Sequence, residues 1–267
     1  MSARSAGANA VLEERLGSLG AGAISILMIR KLRYEGWTLE RRNDAFWRLW
    51  WPLQFGGVLV TEDVTLRMRS ERLYLIPPRT VFSTRLQQPF VAWQIHFSLQ
   101  SAEILTSPGI HELEPLGAMS HLLDELFGTP QPAGQPAWEA HALIALALRS
   151  APPQLWPSDR RDPRVKRALG FLGAHFRERL VLEDVARASA CSERTLLELF
   201  QAEVRQTPIQ TLTAIRTDEA SRLLAHTDLS VDEIAERCGF ANRYYFSRVF
   251  KQVTGESPAA FRVAARV

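Results

Sequence analysis

Apolar and polar positions change their rhythm once along this chain. From Ile24 to Leu99 the apolar runs are short and often alternating: Ile24 to Ile29, Leu49 to Trp51, Gly57 to Thr61, Arg72 to Ile76 and Val91 to Phe97. Gly56-Gly57, Pro77-Pro78 and Gln88-Pro89 punctuate them. Several short strands at this spacing predict a β-sandwich or barrel over about 20–105. Within one strand, alternation puts Trp47, Leu49 and Trp51 on one side and Arg48 and Trp50 on the other. Which side is interior stays open at this level. The period then lengthens. Leu113, Leu116, Met119, Leu122, Leu123, Leu126 and Phe127 recur at helical spacing, as do Trp138, Ala142, Ile144, Ala145 and Leu148. These two helices fall within about 112–150, and the stretch from Gly128 to Gly134 between them reads as a loop. Ala151 to Asp162 carries Pro152, Pro153 and Pro157 and is the best candidate linker. It divides a 1–150 domain from a 163–267 domain in which helices are expected at about 163–176, 182–188, 193–203, 208–226, 231–237, 242–253 and 258–264. Residues 1–16 read as a mobile arm.

The helical domain says the same thing twice. Leu182-Glu183-Asp184-Val185-Ala186, a turn, and Ser192 to Phe200 match Val231-Asp232-Glu233-Ile234-Ala235, a turn, and Asn242 to Phe250. A repeated short helix, tight turn and longer helix is the sequence image of two helix-turn-helix units. The segment 208–226 between them, with Leu212, Ile215, Ala220, Leu223 and Leu224, reads as one long connecting helix.

The second member of such a unit can enter the major groove. In the second copy Tyr245, Phe246, Val249 and Phe250 form the expected inward stripe, and Asn242 is a good N-cap. Arg243, Tyr244, Ser247, Arg248 and Lys251 then point outward and can meet base edges and phosphates. A solvated helix face is the ordinary meaning of such residues; the repeat is what turns them into candidates. In the first copy Leu196, Leu199 and Phe200 point inward, and Arg194, Leu197 and Glu198 are among the outward positions. Glu198 stands where the second copy has Arg248. A carboxylate there either accepts from a cytosine amino group or weakens the hold on DNA.

Composition narrows the class only a little. Apolar content of 46% and charge of 23% are ordinary for a globular protein of 267 residues. The net charge of +3 is uneven: residues 164–267 hold 16 Lys and Arg against 13 Asp and Glu, while residues 1–163 hold 16 of each. That asymmetry supports a phosphate-facing surface without demanding one. The two cysteines, Cys191 and Cys238, fall one in each repeat turn and read as small apolar residues, in a reducing cytoplasm. The apolar stretch from Gly17 to Ile29 is too short to span a bilayer. His96, His111 and His121 are well separated and form no His-x-His pair, so neither a metal site nor a cofactor is expected.

Leu229-Ser230-Val231, Ile234-Ala235 and Cys238-Gly239-Phe240 closely resemble the AraC family of bacterial transcription regulators. The match continues through Tyr245-Phe246-Ser247-Arg248, Phe250-Lys251, Gly255, Ser257-Pro258 and Phe261-Arg262, and covers roughly Arg164 to Arg262. The resemblance implies an α+β two-domain protein with an all-α DNA-binding domain of two helix-turn-helix units. It implies contact with promoter DNA through Arg194, Arg243, Tyr244, Ser247 and Arg248, and work with RNA polymerase in the bacterial cytoplasm, at the nucleoid. Leu197 and Glu198 depart from the polar and basic groups usual there. Tyr74-Leu75-Ile76-Pro77-Pro78 and Trp93-Gln94-Ile95-His96-Phe97 resemble, more loosely, the family's cupin-like sensor barrel, which implies a small-molecule effector, a helical dimerisation pair and a homodimer. Trp47, Trp51 and Trp93 with Arg48, Arg79 and His96 are the candidate effector residues, and aromatic faces beside hydrogen-bonding groups suit a carbohydrate. The plainer alternative is that the tryptophans are barrel core.

Overall fold

A computed structural model describes residues 24–99, 108–128, 138–155 and 161–265. The expected arm at 1–16, the loop at 129–134, and the side chains of Leu126 and Phe127 lie outside what is described. The described residues divide into two compact units, the first ending in sequence at Leu155 and the second beginning at Arg161.

The first unit is built on strands β1 (Ile24–Tyr34), β2 (Leu39–Asn43), β3 (Trp47–Pro52), β4 (Gly57–Val60), β5 (Thr65–Arg67), β6 (Leu73–Ile76), β7 (Val81–Leu86), β8 (Phe90–Leu99) and β9 (His111–Leu113). They form two antiparallel sheets, ordered β1-β8-β3-β6-β9 and β2-β7-β4-β5. Alternation along β3 sorts its side chains between two cores. Trp47, Leu49 and Trp51 join Ile95, Phe97, Leu73 and Leu75 on one face of the larger sheet. Trp50 joins Tyr74, Ile76, Phe90 and Ala92 on the other face, where Leu39, Leu59 and Phe82 of the smaller sheet meet them. The interior between the sheets is therefore the Arg48 and Trp50 side of the strand.

Helices α1 (Gly117–Gly128) and α2 (Trp138–Ser150) cover the outer face of the larger sheet. Met119, Leu123, Leu143, Ile144, Ala147 and Leu148 are spent in that contact. Two expectations are corrected here. Leu113 belongs to β9, paired with Leu73 of β6, and Leu116 precedes α1 exposed, so the first helix starts later than its apolar spacing predicts. Gly117 opens the helix, and sheet pairing wins over helical period for Leu113. Trp138 is 59% exposed rather than core, its ring tilted against His141.

The second unit contains α3 (Pro163–His175), α4 (Leu182–Ala188), α5 (Glu193–Glu203), α6 (Pro208–His226), α7 (Val231–Arg237), α8 (Arg243–Thr254) and α9 (Pro258–Ala265). Their starts are written locally. Asp162 accepts from the Arg164 amide with Pro163 at the first helical position, and Ser192 and Asn242 cap α5 and α8 through side-chain oxygens. Thr207 with Gln210 and Ser230 with Glu233 form capping boxes at α6 and α7. At α7 the Ser230 bonds hold the Glu233 carboxyl below its ordinary range. Val165, Leu172, Val185, Leu196, Phe200 and Leu212 make the core of the first repeat. An aromatic chain, Phe240 to Phe246 to Phe250 to Phe261 with centroids 5.0, 5.5 and 5.4 Å apart, makes that of the second.

The two repeat turns share a left-handed residue at one place, Ala190 with φ +54° and Gly239 with φ +74°. Gly239 is required: a Cβ there would lie 2.7 Å from the Arg177 carbonyl oxygen. The second turn thus nests on the backbone that follows α3. Arg216 of α6 holds the same place, donating to the carbonyls of Phe176 and Glu178 at 2.7 Å each, with its guanidinium 5.9 Å from the Phe240 ring. Both contacts tie the second repeat to the frame of the first.

Candidate nucleic-acid interface

The outward face of α8 is set by what its inward face buries. Phe246, Val249 and Phe250 are in the core, and Arg243, Tyr244, Arg248 and Lys251 are exposed, with Ser247 half-buried between them. Tyr245 is a correction to the expected inward stripe, since it is 43% exposed. Its position, one residue before Phe246, is rotated about 100° from the core direction. The ring rests against Phe240, centroids 6.3 Å apart, and the Arg248 guanidinium sits 5.6 Å from its centre. Arg243 donates to the Asp232 carboxylate at 3.0 Å, so α7 steadies a cation on α8. At the N-terminal end of α8, Ala241, Asn242, Tyr244, Tyr245 and Arg248 line an open hollow of about 480 Å³. Helix N-termini favour negative charge through the dipole and free amides. No carboxylate lines this hollow.

The matching face of α5 is different. Arg194, Leu197 and Glu198 are exposed as expected, but Arg194 donates to Glu198 at 3.0 Å, one turn away on the same helix. The pair cancels its own charge in full solvent, where such pairs contribute about 0.5 kcal/mol or less. The apolar Leu197 lies beside it. α5 therefore offers Glu193 and Glu198 against Arg194, where α8 keeps Arg248 and Lys251 in addition to its own Arg243–Asp232 pair.

The effector candidates separate into two groups. Trp47, Trp51 and Trp93 lie on the helix-covered face of the larger sheet, not between the sheets: Trp47 stacks on Phe97, Trp51 donates to the Ser70 carbonyl, and Lys31 lies over Trp93. Arg79 is exposed in the β6–β7 turn with φ +64°, its amide bonded to the Asp44 carbonyl. Arg48 and His96 face the interior. Arg48 donates to Asp44 at 2.8 Å and lies 2.8 Å from His96 Nε2, which Gln94 also approaches at 2.8 Å. Both neighbours of Nε2 carry N–H groups, so Nε2 is the side of the ring that meets donors. Arg42 donates to the other Asp44 oxygen at 2.6 Å. Burial alone would push the Asp44 carboxyl up, but Arg48 and Arg42 outweigh it and hold it below the ordinary range.

Sequence reading missed Asp44, Asp232 and Ala241, and named Gln94 only within the Trp93-to-Phe97 motif. Alternation places Gln94 and His96 on one side of β8, opposite Trp50 and Arg48 of β3, so that much was available. Ala241, the residue added between the two repeats, carries no chemical signal of its own. Among the described residues no cluster of three metal-ligating side chains occurs, and no helix is long and apolar enough to cross a membrane.

Comparison with known proteins agrees with the helical unit. Residues 185–264 match the model of a helix-turn-helix domain family. The chain is 30% identical over 167 residues to the HTH-type transcriptional activator RhaR of Enterobacter sp. (strain 638), covering 61% of this chain and 57% of that protein. It is 36% identical over 104 residues to the HTH-type transcriptional activator RhaS of the same strain, covering 39% and 37%. These matches span between about a third and three fifths of the relatives' lengths. Among solved structures, ToxT from Vibrio cholerae shares the fold over 90% of this chain and 98% of that one, with a TM-score of 0.57 at 12% identity. A form of ToxT with an unsaturated fatty acid bound gives 0.56, also at 12%, over 90% of this chain and 95% of that one.

Proposed function

We propose that this chain, whose C-terminal unit is an AraC-family helix-turn-helix domain, is a transcription regulator that binds promoter DNA and responds to a small molecule through its N-terminal β-rich unit. The observation that carries the DNA-binding half is the cationic face of α8, exposed and cradled by a repeated helix-turn-helix. Arg248, Arg243 and Lys251 would meet bases and phosphates, with Tyr244 and Ser247 beside them, and α5 would add a weaker contact through Arg194, Leu197 and Glu198. α6, of 19 residues and about 28 Å, would join two recognition helices that enter successive major grooves about 34 Å apart. The RhaR and RhaS names support activation, which would run through RNA polymerase. Arg248→Ala is expected to weaken binding to a specific duplex by about 1–3 kcal/mol. An unchanged isotherm in a fluorescence anisotropy titration would remove Arg248 from the interface.

The sensing half takes the first unit as a cupin-like barrel with α1 and α2 as the dimerisation pair. A fold shared with a protein that holds a fatty acid supports a small-molecule input. Arg48 and His96, the effector candidates that face the interior, would sense it, with a sugar as the first class to test. One observation favours a second reading, a barrel that only dimerises. Tyr34, Trp37, Trp50, Phe82 and Phe90 fill the space between the sheets, and the charged groups there already pair with one another. Sedimentation of the full chain at micromolar concentration tests the dimer common to both readings; a monomer would count against each.

A further inference from the structure

The inference concerns which bases the second repeat reads, and it rests on the DNA-binding reading above. Three features stand together at the start of α8. Tyr244 is 86% exposed, a large ring held in water. Tyr245 sits outside the core it borders, yet leans on buried Phe240 and carries the Arg248 guanidinium over its face. The open hollow beside them is lined by both rings, Arg248, Ala241 and Asn242.

We propose that this hollow reads a thymine–guanine step in the major groove. Arg248 bonds the guanine, and Ala241 with the Tyr244 and Tyr245 rings receives the 5-methyl group of the neighbouring thymine.

The chemistry of the lining selects those bases. Guanine shows two acceptors, O6 and N7, which a guanidinium meets with two parallel donors. Stacking on Tyr245 holds the Arg248 fork before DNA arrives, which lowers the ordering cost of that contact. Adenine reading calls for an amide side chain, and Asn242, the amide in the hollow, has its Oδ1 committed to the Tyr245 amide at 2.9 Å. Cytosine reading calls for a carboxylate, and the lining has none. Thymine offers a methyl group to apolar surface, which Ala241 and two aromatic rings supply. Successive bases are about 3.4 Å apart along a strand, so one hollow spans the edges of two. Tyr245 is a positioning residue here: it acts through Arg248 and adds its own apolar wall.

The test uses the full chain and a duplex selected by it from a random-sequence library. Each thymine in turn is replaced by uracil, which lacks the methyl group, and each guanine by 7-deazaguanine, which lacks the N7 acceptor. Affinity is read by fluorescence anisotropy. One adjacent pair is expected to respond: the uracil costs about fourfold, the worth of one buried methyl group, and the 7-deazaguanine about tenfold. The uracil penalty should fall in Tyr244→Ala, where Ala241 and Tyr245 remain, and the 7-deazaguanine penalty should vanish in Arg248→Ala. Tyr245→Phe should keep both penalties, because the ring and not the hydroxyl is used. Tight binding with no sensitive adjacent pair would overturn the inference and leave the DNA-binding reading standing. A uniform loss in Tyr244→Phe with no response to uracil would also overturn it, by assigning Tyr244 to phosphate. Failure to select any duplex would overturn the DNA-binding reading itself, and the inference with it. The base replacements are read on the unaltered protein, so folding of a variant does not decide the outcome.

Discussion

Ala190 and Gly239 hold the same place in two copies of one turn, both with positive φ, and only one is a glycine. An alanine in the left-handed region costs about 1–2 kcal/mol, of which the stiffer unfolded chain returns part. Ala190→Gly is therefore expected to stabilise the helical unit by about 0.5–1 kcal/mol. Gly239→Ala should destabilise it by about 2–3 kcal/mol, because strain is joined by a clash with the Arg177 carbonyl. Thermal unfolding followed by far-ultraviolet circular dichroism checks both, and shifts of equal sign would refute the comparison. Asp44 gives the first unit a pH dependence of definite sign. Its folded-state pKa is depressed, so its contribution is present at neutral pH and is lost as pH falls through about 4 and below. Asp44→Asn should remove that acid limb and cost about 3–5 kcal/mol, since it leaves Arg42 and Arg48 buried without their counter-charge. An acid limb of unchanged slope in the variant would show that another carboxylate governs it.

α5 and α8 hold the same place in the two repeats and differ in electrostatics. On α5 the Arg194–Glu198 pair closes on itself, whereas on α8 Arg248 stacks on Tyr245 and Arg243 is held from α7. Glu198→Gln should release Arg194, strengthen duplex binding by about three- to tenfold and steepen the salt dependence by about one unit of slope. An isotherm and salt slope equal to the parent's would mean that α5 stays off the DNA. At this scale the chain was most readable where repetition and capping agree. Asn242, Ser230 and Thr207 mark helix starts through their own side chains, and the inward sets of α5 and α8 follow from period, apart from Tyr245. Tyr245 escaped because a ring half over the core and half in water has the same residue identity as one wholly inside. Leu113 escaped because three residues of strand pairing leave no periodic trace of their own. The tryptophans of the larger sheet were sorted into faces by alternation, but which face met the helices depended on the strand partners, which no local pattern contains.

For the molecule as a whole, the proposed function makes the first unit the part that answers to a metabolite. A ligand present at about 100 times its Kd should add about 2.7 kcal/mol to the unit that binds it. Thermal unfolding of the full chain against sugars and other small metabolites is expected to raise the melting of the β-rich unit for one class. No shift across a broad panel would favour a barrel that only dimerises, its interior being occupied by its own rings and ion pairs. The two cysteines of the chain bear on how such questions can be followed. Cys238 is buried, and burial pushes its thiol up to about 12, so little of it is ever thiolate. Cys191 is half-buried in the first repeat turn, one residue before the cap of α5. A maleimide dye should therefore attach at Cys191 alone, which gives the unmutated protein a built-in optical reporter beside α5.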